Sequence, residues 1–210
     1  NIKLEKREVN TMIELKSIYK RYGKYLVLNN VSICFPSQGM FIINGYNGVG
    51  KTTLLNIISL MDSNFEGQIY FDGENFSNSS FRKGQSFRSK NISYVLYNNN
   101  LFSFLNAKEN LLLDSNLEYT ELLSDIDLDK NINHLSGGQQ MLVALTRVIN
   151  QRKKIILLDE VTSQLSDENV KKLMNKLIEI SKQCLIILVT HDLSVLNHYP
   201  LKTYELKEGK

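Results

Sequence analysis

Short apolar runs alternate with helix-period patterns along this 210-residue chain. Residues 13–16 and 31–35 read as strands, with the turn-prone Tyr22-Gly23-Lys24 between them. A third strand, 40–44, runs directly into a glycine-rich loop. From Gly50 to about Met61, the apolar residues Leu54, Leu55, Ile57, Ile58 and Met61 recur at helical spacing. Residues 67–72 alternate as a strand and end at Asp72-Gly73, a hairpin signal. The stretch 75–90 is rich in Ser, Asn, Lys and Arg and reads as a surface connection. Residues 92–96 are again strand-like. Leucine-rich helical patterns broken by Asn and Asp fill 101–133. A helix starts at Ser136, a good N-cap, and carries Met141, Leu142, Leu145 and Val148 on one side. Two buried strands, 154–158 and 185–190, then flank an amphipathic helix over 167–182.

Strands alternating with helices predict an α/β fold with a mainly parallel core sheet and right-handed crossovers. The leucine-rich patterns make a small helical lobe, about 97–150, within a single domain spanning 12–210. Residues 1–11 stand apart. Met12 looks like a natural start, which leaves them as either an appended remnant or the end of an upstream segment. No internal repeat is visible, and two prolines are too few to suggest a domain linker.

Composition narrows the picture only slightly. A net charge of +3 is too small to argue for a nucleic-acid partner on electrostatic grounds. The longest apolar runs, 155–158 and 185–189, have strand length and fall well short of the ~18 residues a membrane helix needs. Cys34 and Cys184 each lie in an apolar strand-like run, so both are expected to be buried and reduced rather than paired.

The strongest chemistry is in residues 45–52, Gly-Tyr-Asn-Gly-Val-Gly-Lys-Thr, which match G-x-x-x-x-G-K-[ST] in full. A triphosphate needs closely approaching backbone N–H donors, and glycines let the chain bend around it. Asn47, Gly48, Val49 and Gly50 would line that cradle. The helix beginning near Gly50 points its positive end at the phosphates. Lys51 would bond the β- and γ-phosphates, Thr52 would supply an oxygen to Mg²⁺, and Thr53 would add a phosphate contact. The strand before the loop and the helix after it are the context this motif requires.

A second helix opens at Leu135-Ser-Gly-Gly-Gln139. Ser136 as N-cap, followed by Gly137 and Gly138 and then Gln139, leaves the first-turn amides bare and makes another anion site. Two such helix ends cannot easily grip one nucleotide in a monomer, which points to a head-to-tail pair of chains. The apolar strand 155–158 ends in Asp159-Glu160, carboxylates at the end of a buried strand where open α/β sheets bind ligands. Asp159 would hold the Mg²⁺ shell and Glu160 would act as general base on the attacking water. His191, after the strand 185–190, is a further γ-phosphate contact. Guanine is not expected, because Asn175-Lys176-Leu177-Ile178 lacks the acid of an Asn-Lys-x-Asp reader.

In this order the motifs resemble the ABC ATPases, the nucleotide-binding domains of ABC transporters, over residue 13 to about 207. The resemblance implies a P-loop NTPase fold with an N-terminal antiparallel β subdomain and a helical lobe carrying the signature. It implies Tyr22 as the aromatic that stacks on adenine, and Lys51, Glu160 and His191 as catalytic groups. ATP and Mg²⁺ are the implied cofactors. The implied partners are a transmembrane permease and a second ATP-binding subunit, identical or different, at the cytoplasmic face of the cell membrane. The short single domain looks most like subunits of small bacterial exporters. Leu101, Phe102, Phe104 and Leu105 would either pack on the permease or fill the lobe's own core.

Several positions depart from the family pattern, among them Leu142, which stands where an Arg is common in the signature helix. Tyr97 stands where a Gln usually contacts Mg²⁺ and water, with Asn98 as a possible substitute. Val161 replaces a Pro after the catalytic Glu, and Ser166 lacks the carboxylate usual at its position. These departures leave open a slow or non-hydrolysing switch, or one half of an asymmetric heterodimer. A tyrosine hydroxyl cannot donate and accept as an amide does. Tyr97→Gln is therefore expected to raise the ATPase rate or tighten coupling to transport; unchanged turnover and unchanged Mg²⁺ affinity would remove any functional role for Tyr97.

Overall fold

The structure, a computed structural model, describes residues 11–96, 100–113, 121–191, 194 and 196–207. Two sheets organise it. The first is antiparallel and takes β1 (Thr11–Tyr22), β2 (Tyr25–Pro36), β4 (Glu66–Phe71) and β5 (Glu74–Asn75) in the order β2-β1-β4-β5. The second contains β6 (Ile92–Val95), β7 (Ile155–Asp159), β8 (Leu185–Thr190), β3 (Gly39–Asn44) and β9 (Lys202–Glu205), in the order β6-β7-β8-β3-β9. All of its pairings are parallel. This is the α/β arrangement that the alternating pattern predicts. Its β1–β2 strands run much longer than the two short apolar runs suggested, because the polar positions between those runs also pair.

Strand alternation sorts the core into two layers. Ile42, Ile156, Leu158, Ile186 and Leu188 face one way and pack with α3 (Ala107–Leu112), α4 (Gly137–Asn150) and α5 (Asp167–Ile180). Ile43, Ile155, Leu157, Ile187 and Val189 face the other way, against α1 (Lys51–Ile58) and the antiparallel sheet. A parallel sheet covered on both faces needs near-continuous apolar strands, and β7 and β8 are apolar up to their last residues, Asp159 and Thr190. α1 and α4 therefore sit on opposite faces of the same sheet.

Several expectations are corrected. The polar stretch 75–90 is not a plain connection: it contains most of α2 (Phe81–Asn91), capped by Ser80, whose side chain accepts from the Lys83 amide. Its one large inward residue, Phe87, packs 4.7 Å from both Phe71 and Phe76, ring centre to ring centre. A single apolar anchor is too little to produce a visible helical period. Cys34 is exposed, on the outward side of β2 opposite Glu14, because its neighbour Phe35 takes the inward position. Cys184 is buried as expected. The helix α4 is buried from Met141 to Ile149 on all sides rather than along one stripe. In the lobe, the described residues of 101–133 form α3 and two short 3-10 turns, less helix than the leucine pattern implied. The edge strand β9 had no counterpart in the hydrophobic pattern, since its four residues are mostly polar.

Removing the aromatic anchor of α2 should loosen it from the antiparallel sheet. Phe87→Ala is expected to cost about 2 kcal/mol in urea unfolding, below the full cost of a completely buried Phe. A loss under about 0.5 kcal/mol would mean that α2 contributes little to the folded state.

Candidate functional site

β3 ends at Asn44, and the chain turns through residues 45–50 into α1. Gly50 caps the helix in the left-handed region, with φ 106°. A Cβ there would meet the Leu28 side chain at 2.9 Å and the Val27 carbonyl at 3.0 Å, so only glycine fits this turn. No side chain caps the helix. Its first amides are left for an anion. Asn47 and Gly48 are exposed at the tip of the loop, Val49 is half-buried, and Thr52 and Thr53 lie in the first turn of α1.

Lys51 is 95% buried, yet its ammonium has three oxygen partners. It donates to the carbonyls of Gly45 at 2.7 Å and Tyr46 at 3.1 Å, and lies 3.3 Å from Oε1 of Glu160. The other Glu160 oxygen, Oε2, lies 2.8 Å from Nδ1 of His191 and 3.3 Å from the His191 amide nitrogen. The parallel sheet makes this meeting possible. β7, β8 and β3 are neighbours in register, so Asp159, Thr190 and Asn44 end on one edge and the residues after them converge.

Glu160 itself is held in the left-handed conformation, φ 53°. Such strain costs on the order of 1 kcal/mol and persists only where the surroundings enforce it. Here its amide donates to the Val189 carbonyl at 2.9 Å and its own carbonyl accepts from the Ser163 hydroxyl at 2.8 Å. Ser166 caps α5 by accepting from the Asn169 amide.

Asp159 is buried beneath this group. Burial pushes its carboxyl above the usual carboxylate range; the Thr52 hydroxyl opposes that shift, the Glu160 charge adds to it and the Lys51 charge opposes it. Among the described residues, its Oδ1 has no hydrogen-bond partner. A buried anionic oxygen without a donor, beside a threonine hydroxyl, suits a divalent cation. No group of three or more His, Cys, Asp or Glu able to hold a metal occurs among the described residues. Thr52 and Asp159 are the residues that would hold Mg²⁺, which takes one or two protein oxygens and completes its shell with water and phosphate.

The signature residues lie away from this cluster. Ser136 caps α4 through a reciprocal box with Gln139: its hydroxyl accepts from the Gln139 amide at 3.2 Å, and its amide donates to the Gln139 side chain at 3.0 Å. Gly138 sits against the turn after β7, where a Cβ would lie 2.8 Å from the Gln164 carbonyl. The structure thus brings Lys51, Thr52, Asp159, Glu160 and His191 together and leaves Ser136, Gly137, Gly138 and Gln139 on the other side of the sheet. Tyr22, at the end of β1, is half-exposed. Tyr97 and Asn98 fall outside the described residues.

Two residues of this region were missed from sequence. Lys20 is 96% buried and paired with Asp62 at 2.7 Å. Its signal was there to find, since a lysine two residues after Ile18 occupies the inward phase of β1. Gln164 abuts the signature helix, a contact with no local signal at all.

Comparison with known proteins agrees with this geometry. The ABC transporter family model matches residues 28–163. An uncharacterized ABC transporter ATP-binding protein of Methanocaldococcus jannaschii is 32% identical, over 95% of this chain and 97% of its own length. The macrolide export ATP-binding/permease protein MacB of Campylobacter jejuni is 33% identical over 95% of this chain, which spans 33% of it. The Fe(3+) ions import ATP-binding protein FbpC of Escherichia coli K12 is 32% identical over 87% of this chain, which spans 55% of it. An ATP-binding cassette solved as a dimer in a post-hydrolysis state with ADP and Pi superposes with a TM-score of 0.81, at 28% identity, covering 94% of this chain and 95% of that one. The chain belongs to the ABC transporter family. It is an ATP-binding cassette with ATPase activity.

The glycine contacts give a paired expectation. Ala is favoured over Gly within a helix by about 1 kcal/mol. At Gly137 the nearest atom is the end of the flexible Gln164 side chain, at 3.4 Å. Gly137→Ala should therefore be neutral or stabilising in urea unfolding. Gly138→Ala must displace a backbone carbonyl and should destabilise by about 1–2 kcal/mol. Equal effects of the two substitutions would contradict the packing described.

Proposed function

We propose that this chain is the ATP-hydrolysing subunit of an ABC exporter. Two ATP-binding subunits, identical or related, close head-to-tail around two ATP molecules and drive a separate transmembrane permease at the cytoplasmic face of the membrane. The observation that carries the reading is the placement of the two bare helix ends. α1 and α4 cover opposite faces of one sheet, and the signature turn packs against Gln164 rather than against Lys51, so within one chain the two helix ends serve different places. A second subunit supplies them.

In this reading the amides of residues 47–52, the Lys51 ammonium and the Thr53 hydroxyl hold the phosphates, and Tyr22 stacks on the adenine. Thr52 and Asp159 hold Mg²⁺, which neutralises phosphate charge when bound. ATP takes over the Lys51 ammonium from Glu160. The released carboxylate, still oriented by His191, accepts the proton of the attacking water. Ser136, Gly137, Gly138 and Gln139 of the other subunit close the site over the γ-phosphate.

Among the described residues no helix is long and apolar enough to cross a membrane. In the proposed reading the permease is a separate partner. Phe102 and Phe104 support its docking place: they are 47% and 75% exposed and pack edge to face with ring centres 5.7 Å apart. Leu101 instead packs into the core, so the apolar cluster divides between the two roles it was offered. The export direction rests on the likeness to the macrolide exporter, 33% identical over 95% of this chain, against 28% over the same share for a methionine importer.

Glu160→Gln keeps the shape and removes the base. It should lower phosphate release at least about 100-fold while ATP binding persists and ATP-dependent dimers accumulate. Equal, slow phosphate release by Glu160→Gln and the unaltered protein, with dimerisation by ATP retained in both, would favour a switch over an enzyme.

A further inference from the structure

Lys20 is a buried cation with no part in the phosphate chemistry. β1 carries it two residues before Tyr22. Its ammonium binds both oxygens of Asp62, at 2.7 and 2.9 Å, and also donates to the Asn64 carbonyl. Asp62 belongs to the turn that follows α1, and its Oδ1 also accepts from the Asn64 amide at 2.9 Å. These contacts alone would describe a strut between β1 and the end of α1.

Two further contacts involve the tyrosine. The Lys20 ammonium stands over the Tyr22 ring, 4.9 Å from its centre. The Tyr22 hydroxyl donates to Asp62 Oδ2 at 3.4 Å. The ring is thus gripped at its hydroxyl edge and covered on one face by a cation, while 50% of the residue stays exposed. A ring held in this way offers its remaining face to a ligand. The cation draws electron density toward its own side and leaves the open face better suited to a flat, electron-rich heterocycle. Fixing the ring in advance also lowers the ordering cost of binding.

We infer that Lys20 and Asp62 are positioning residues that clamp Tyr22 as a one-faced stacking platform for the nucleobase of ATP. The inference rests on the reading of Tyr22 as the adenine contact. It predicts a loss specific to the base and transmitted only through Tyr22.

The test compares binding of ATP and of inorganic tripolyphosphate, by calorimetry, in four full-length proteins: unaltered, Lys20→Met/Asp62→Asn, Tyr22→Ala, and the triple variant. Replacing both members of the pair avoids stranding a charge. The double variant is expected to bind ATP about three- to tenfold more weakly and tripolyphosphate unchanged. It should add no further loss in the Tyr22→Ala background. Equal loss of ATP and tripolyphosphate affinity, or the same loss with and without Tyr22, would overturn the clamp and leave only a strut. If Tyr22→Ala by itself binds ATP normally, the adenine reading of Tyr22 fails, and the clamp falls with it. Asp62→Asn alone keeps Lys20 and a side-chain acceptor; it serves the same comparison should the double variant not fold, with a smaller base-specific loss expected and no loss counting against the clamp.

Discussion

A sheet buried on both faces sends alternate side chains to two separate helical layers, and this separation governs the rest of the molecule. The P-loop helix lies with Ile43, Leu157 and Val189 on one side, and the signature helix lies with Ile42, Leu158 and Leu188 on the other. Each helix begins with amides that lack partners in their own helix. One such end, beside Lys51, faces the edge where the strands stop. The other begins in the opposite layer, with Gly138 against the Gln164 carbonyl rather than beside Lys51. An anion-binding end without an anion in its own chain is what a second subunit can use, and this is the observation behind the proposed pairing.

The same edge concentrates charge. Lys51, Asp159, Glu160 and His191 arrive from three adjacent strands, and their mutual contacts describe a site at rest. Glu160 is held by the lysine that the reaction needs for phosphate, and its backbone is kept in a left-handed conformation by bonds from Ser163 and to Val189. Asp159 keeps an oxygen without a donor in a buried place. A left-handed glutamate and a buried carboxylate oxygen without a donor each cost stability in isolation, and in the proposed reading a cation would give Asp159 the partner it lacks.

Much of this was legible in the sequence because its signals are local. The phosphate loop, the signature box and the acidic strand end each depend on residues within about ten positions of one another. β7 and β8 were visible because burial on both faces demands uninterrupted apolar runs. The losses had one physical cause. α2 owes its place to a single aromatic, Phe87, in an otherwise polar segment, and Cys34 lies outward because Phe35 must lie inward. One residue in eleven carries too little periodicity to read, and an apolar run does not say which alternate positions face the core.

The sequence by itself determined which chemistry is present: a phosphate cradle with its lysine, a carboxylate pair, a histidine after a strand, and a second capped helix start. It also determined that the core sheet is mainly parallel, since helices separate its strands. Only the tertiary structure decided which of these groups meet. Strand order puts β7, β8 and β3 side by side, and so joins Glu160 to Lys51 across more than a hundred residues of chain and to His191 across 31. Strand alternation, together with the covering of both faces, sent the signature helix to the far side. The clasp of Lys20 and Asp62 around Tyr22 belongs to the same class. It joins residues some forty positions apart, and contacts of that range depend on how the layers pack rather than on any local preference of the chain.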